Sequence, residues 1–137
     1  RPGRYRQGRP VDLSAGRARL TPARFDPAIP ENVVKLAAVE QLTELATGLG
    51  RTLPELAVAF PLAHPAVTSV IIGPRTPEQL EQLLKGADLV LDDATLDRID
   101  EIVPPGVNLY RPDGVWRHPA LDDLTLRRRS PTDRAAA

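Results

Sequence analysis

The sequence predicts an α/β protein, mostly helical with one clear strand at about residues 66–72. Three observations carry that expectation. From Glu31 onward apolar residues recur at helical spacing: Val39, Leu42, Ala46 and Leu49. Residues 66–72 form a β-branched apolar run closed by Gly73 and Pro74. A capped helix follows that run at once, so strand, tight loop and helix make one βα unit.

The first thirty residues, RPGRYRQGRPVDLSAGRARLTPARFDPAIP, carry repeated Pro and Gly with no sustained period and read as an extended loop over residues 1–30. Loops of that length are uncommon inside a compact domain unless they cover something or link domains. The segment 31–103 then reads as helix, helix, strand, helix and extra helix. The first helix is expected from about Glu31 to Gly48, with Gly50 at the C-terminal cap position. Thr52 and Glu55 form a capping box ahead of a short buried helix, which Pro61 is expected to end or kink, with His64 and Pro65 as its exit.

After the strand, Thr76, Pro77 and Gln79 place a cap, a first-turn proline and a third-position amide in order, predicting a helix to about Lys85 or Gly86. Asp92 caps a last helix, about 93–103, with Leu96, Ile99, Ile102 and Val103 inward, and Pro104, Pro105 and Gly106 stop it. Residues 104–137 read as a polar, poorly ordered tail in which Arg127, Arg128 and Arg129 form a solvated charge run. The acidic series on the last helix reads as a cap and a solvated face.

Composition narrows the function classes. Lys plus Arg equals Asp plus Glu at 18 each, which gives no electrostatic case for nucleic acid or a membrane surface. With no cysteine, disulfides and thiolate chemistry are excluded, and no His, Asp or Glu cluster has metal spacing. No apolar run approaches the ~20 residues of a membrane span, so a soluble, cytoplasmic protein is expected. Aromatics are only 4% of the residues, so the core must be built from Leu, Val, Ile and Ala. The sequence contains no methionine, and its single strand lacks partners. Both suggest a piece of a longer chain, whose unpaired strand edges and helix faces favour self-association.

The corner SVIIGPRTPEQLEQLL, residues 69–84, carries the most chemistry. Ligands of α/β folds sit beyond the carboxyl ends of strands, where helix N-termini offer free N–H groups. Gly73 lets a backbone approach a ligand, Arg75 can fork onto a phosphate, and Gln79 and Gln82 lie on the first turns of the helix. The plainer alternative is a capped turn with one exposed arginine, since no full phosphate-loop motif is present.

Taken together, LAAVEQLTELATGLGRTLPELAVAFPLAHPAVTSVIIGPRTPEQLEQLL resembles the C-terminal part of the aldo-keto reductases, NADPH-dependent (β/α)8 oxidoreductases. The likeness runs over residues 3–102 and is strongest over 37–84. It implies the closing portion of a TIM barrel, which needs ~250 residues in full. It also implies that the loop after the last strand grips the adenosine phosphate of NADP(H), with Gly73, Arg75 and Gln79 along it and Gln82 where many members have a carboxylate. Leu83 departs from the usual asparagine at the adenine contact. By the same resemblance Arg4, in a Gly-Arg-Tyr that looks like the family's Gly-Lys-Tyr, is a pyrophosphate contact, and Arg17 is the arginine of the covering loop.

The family's catalytic Asp, Tyr, Lys and His belong to the other half of the barrel, and nothing here matches their motifs. Tyr5, Tyr110, Lys35, Lys85, His64 and His118 fall outside the required contexts. The expectation is therefore NADPH-dependent hydride transfer to a small carbonyl substrate by the full-length form, with this chain inactive alone. A small helical interaction module without a cofactor is the alternative.

Overall fold

The computed structural model describes residues 13–14, 16–110, 114, 119–130 and 132. Six helices are present among them: α1 (Gly16–Leu20), α2 (Pro30–Gly48), α3 (Leu53–Leu62), α4 (Pro77–Ala87), α5 (Asp93–Ile102) and α6 (Leu124–Arg127). Short 3-10 turns lie at Pro22–Arg24 and Pro119–Asp122.

The helix ends follow from local chemistry. α2 starts with Pro30 in its first turn and closes with Gly50 at φ 67°, a left-handed cap that an L side chain resists. There the Arg51 N–H donates to Ala46 O at 2.9 Å and the Gly50 N–H to Thr47 O at 2.9 Å, a Schellman arrangement. At the start of α3 the Thr52 N–H donates to Glu55 Oε2 at 2.9 Å while the Glu55 N–H reaches Thr52 Oγ1 at 3.4 Å, completing the capping box. Pro61 does not end the helix but sits inside its last turn. Asp92 caps α5, accepting from the Thr95 N–H at 2.8 Å.

The core gathers Ala46 of α2, Leu56, Ala59 and Ala63 on and after α3, Leu91, and Leu96 and Ile99 of α5, with Leu42, Leu45, Leu53 and Leu89 against its edge. Small residues let the helices approach closely, most of all α3 and α4, where Gly86 is buried against Glu55 and Val58. A second anchor holds the start of α2. The wholly buried Asn32 donates through Nδ2 to Ala23 O and Asp26 O, both at 2.8 Å, tying the 3-10 turn to the helix.

Three expectations are corrected. No strand is present among the described residues: 66–72 have no sheet partner, and Ile71 is 98% exposed. A strand is completed only by neighbours that accept and donate across it. Within the stretch read as an extended loop, α1 and the turn Pro22–Arg24 are helical. Arg127, Arg128 and Arg129 are not a solvated run. Arg127 pairs with Asp100 at 2.6 Å, Arg128 with Asp97 at 2.9 Å and Asp100 at 2.5 Å, and Arg129 is hydrogen-bonded to the end of α3. Asp97 and Asp100 on one face of α5 thus receive guanidinium groups, with Asp100 largely shielded from water and Asp97 still exposed.

Candidate functional site

The turn at 73–79 is held by its own polar side chains. Thr76 caps α4, accepting from the Gln79 N–H at 3.3 Å, and Pro77 occupies the first turn. In a standard capping box the third-position side chain would return to the cap N–H; here Gln79 Oε1 reaches one residue further and accepts from the Arg75 N–H at 2.8 Å. The backbone of the turn is thereby fastened at Arg75, whose side chain is exposed. Gly73 is also exposed, and a Cβ built on it would meet nothing within 4 Å. Open space therefore lies beside the arginine.

The electrostatics of the turn are mixed. The Glu78 carboxyl is held below its ordinary range by a hydrogen bond from Thr76 and by one from its own backbone N–H. A carboxylate there offsets part of the positive end of α4. An anion at this turn would depend on the Arg75 guanidinium more than on the helix terminus.

The other expected site residues fall elsewhere. Gln82 is half-buried and its Nε2 donates to Thr52 Oγ1 at 3.4 Å, so it joins α4 to the cap of α3. Arg17 lies on α1. Arg4 lies outside the described residues. Gly73, Arg75 and Gln79 are therefore brought together, and Gln82 is turned toward the neighbouring helix.

Three of the residues set aside as catalysts, His64, Lys35 and Tyr110, have structural partners. His64 Nδ1 accepts from the Ala66 N–H at 3.1 Å and shapes the exit from α3. Tyr110 lies under two cations, with Lys35 Nζ 4.9 Å and Arg24 Cζ 5.4 Å from its ring centroid. His118 and Tyr5 lie outside the described residues. Sequence reasoning missed the clustering of Arg127 and Arg128 on α5, although Asp97 and Asp100, three positions apart, are neighbours on one helix face and signal it. Burial opposes the charge of Arg128, but hydrogen bonds with Asp100 and Asp97 outweigh it and raise its pKa. No helix among the described residues is long and apolar enough to cross a membrane.

Comparison with known proteins gives the wider context. A B. subtilis (strain 168) protein named "Uncharacterized oxidoreductase YrpG" is 39% identical over 69 residues, 50% of this chain and 21% of that protein. A Schizosaccharomyces pombe protein named "Putative voltage-gated potassium channel subunit beta" is 34% identical over 76 residues, 54% of this chain and 22% of its own length. An Arabidopsis thaliana protein named "Probable voltage-gated potassium channel subunit beta" is 34% identical over 70 residues, 50% of this chain and 21% of its own length. The chain thus spans about a fifth of the curated relatives it matches. No solved structure gives a significant match. Residues 2–104 match the Aldo/keto reductase family over most of the chain, and the chain belongs to that family.

Proposed function

We propose that this chain forms the closing part of a TIM-barrel oxidoreductase and supplies the site for the adenosine phosphate of NADP(H). Membership of the family supports an oxidoreductase. The observation that carries the finer reading is the exposed Arg75 on a turn fastened by Gln79, with open space over Gly73.

Those residues fit a phosphorylated ligand. The Arg75 guanidinium offers paired donors to phosphate oxygens, Gly73 admits the ligand close to the backbone, and Gln79 keeps an amide nitrogen as a further donor. Gln82, joined to Thr52, steadies α4 instead of contacting the ligand. The nicotinamide cofactor would supply hydride to a small carbonyl substrate in the full-length form; the residues of this chain bind and orient its far end. Arg4 and Arg17 remain assigned to the pyrophosphate and the covering loop by family resemblance.

Titration of NADPH against the chain, followed by nicotinamide fluorescence, tests the reading. A saturable change that Arg75→Ala weakens at least tenfold is expected. A cofactor-free interaction module would give no saturable change and no effect of Arg75→Ala. Carbonyl-dependent NADPH oxidation above a blank by this chain alone would overturn its assignment as a binding portion without catalysis.

A further inference from the structure

Residues 105–137 lie beyond the segment 2–104 that matches the family, and within them residues 119–130 turn back onto α5 and the end of α3. This segment is held differently from the rest of the chain. None of its residues belongs to the buried apolar core, and Leu124 and Leu126 are 49% and 53% exposed.

Its fastening is polar. Asp100 Oδ2 accepts from Arg127 Nη1 at 2.6 Å and from Arg128 Nη2 at 2.5 Å, while Arg128 Nη1 reaches Asp97 at 2.9 Å and Asp93 at 3.6 Å. The Arg129 N–H donates to Ala63 O at 2.7 Å, its Nε to Leu62 O at 3.1 Å and its Nη2 to Val67 O at 2.6 Å. These bonds satisfy carbonyls at the end of α3 and place a cation at the negative end of that helix.

Two features weaken the closed position. Leu121, Arg127 and Arg128 form one wall of a cavity of about 620 Å³ whose opposite side includes Leu56, Phe60 and Val103. The segment therefore bridges a gap and gains little dispersion energy from the body beneath it. Arg127 Nε is buried without a hydrogen-bond partner among the described residues, a cost that closing imposes and opening relieves. Segments with few buried apolar contacts open locally at a free energy below that of global unfolding.

We propose that residues 119–130 are a releasable strap, which opens as a unit while α2 to α5 stay folded and which Asp100 pins shut. Two guanidinium groups share one carboxylate oxygen, so loss of the Asp100 charge loosens both and leaves them uncompensated. Asp97, whose side chain is 66% exposed, holds less because water and ions replace it readily. Opening uncovers apolar side chains of α3 and α5, frees three consecutive arginines and releases Val67 O. Rising ionic strength shifts the strap toward the open form. The strap does not involve Arg75, so it stands or falls separately from the cofactor reading.

Hydrogen exchange of the full 137-residue chain, followed by NMR, tests the strap. The Arg129 N–H is expected to exchange at least tenfold faster than amides in the middle of α2 and α3. Asp100→Asn should speed it a further tenfold or more while those helix amides keep their protection, and Asp97→Asn should change it less than threefold. In the wild type, raising NaCl from 50 to 500 mM should speed the Arg129 N–H about threefold relative to the α2 amides. Equal protection of Arg129 and the helix amides would make the segment part of the cooperative body and overturn the proposal. So would an Asp100→Asn chain that loses its dispersed spectrum, or one in which the Arg129 N–H is unchanged. Wild-type exchange insensitive to salt would overturn the fastening by charge.

Discussion

Gly86 of α4 lies so close to the backbone of Glu55 in α3 that an added Cβ would stand 2.6 Å from Glu55 O and 2.8 Å from Val58 Cβ. Both distances are below real Cβ contacts, and the nearer atom is backbone that cannot swing away. Replacing a helical glycine by alanine ordinarily gains about 1 kcal/mol of helix propensity. Here overpacking, which costs about 1–3 kcal/mol, is expected to win. Gly86→Ala should lower stability in a urea melt, and a stabilised variant would show that α3 and α4 are not in close contact.

Gly86 also shows what the sequence could and could not reveal. Its position near a helix end suggests a cap, yet its φ is not left-handed; among the described residues the left-handed glycines are Gly50 and Gly106. Gly50 was legible because a cap depends on a few adjacent residues. Close packing between α3 and α4 was not, because it joins residues about thirty positions apart. The same division holds elsewhere. Thr52, Thr76 and Asp92 announce helix starts through bonds to residues three positions on. Residues 66–72 have strand-forming side chains but no neighbour among the described residues to complete a sheet, while the role of Arg128 depends on Asp97 and Asp100, far back in the chain. At the candidate site Gly73, Arg75 and Gln79 were legible as one local turn. The redirection of Gln82 to Thr52 was not.

Asn32 provides a sharper test of buried polar packing. Its two amide hydrogens serve Ala23 O and Asp26 O, while its Oδ1 is buried without a partner among the described residues. Asn32→Asp would replace both donors with a carboxylate facing two carbonyl oxygens. A loss of about 3 kcal/mol or more is expected, against about 2 kcal/mol for Asn32→Ala. Denaturant melts of the two variants should rank Asp below Ala; the reverse order would show that Asn32 does not bridge the turn and α2.

Acid should weaken two helix starts. Glu78 is held low by Thr76, and Asp123, which caps α6, by the Thr125 hydroxyl and backbone N–H. A lowered folded-state pKa means that the folded chain binds fewer protons than the unfolded chain. The contribution is complete above the ordinary carboxylate values of about 4 and is lost as pH falls through the lowered ones. Thermal melts of wild type and Asp123→Asn should differ at neutral pH and converge in acid. A difference that grows as pH falls would contradict this assignment.

Gln79 separates holding the turn from holding a ligand. Its Oε1 fastens the Arg75 N–H, and Arg75 itself presents the charge. Gln79→Ala should lose the fastening and one donor, weakening NADPH binding about three- to tenfold, while Arg75→Ala removes the guanidinium and weakens it further. Raising salt from 50 to 300 mM should weaken wild type and Gln79→Ala by similar factors and leave Arg75→Ala less affected, because screening acts on the charged contact. Equal salt dependence in all three proteins would place the phosphate away from Arg75. Melting temperatures near wild type are expected for Arg75→Ala, whose side chain is exposed.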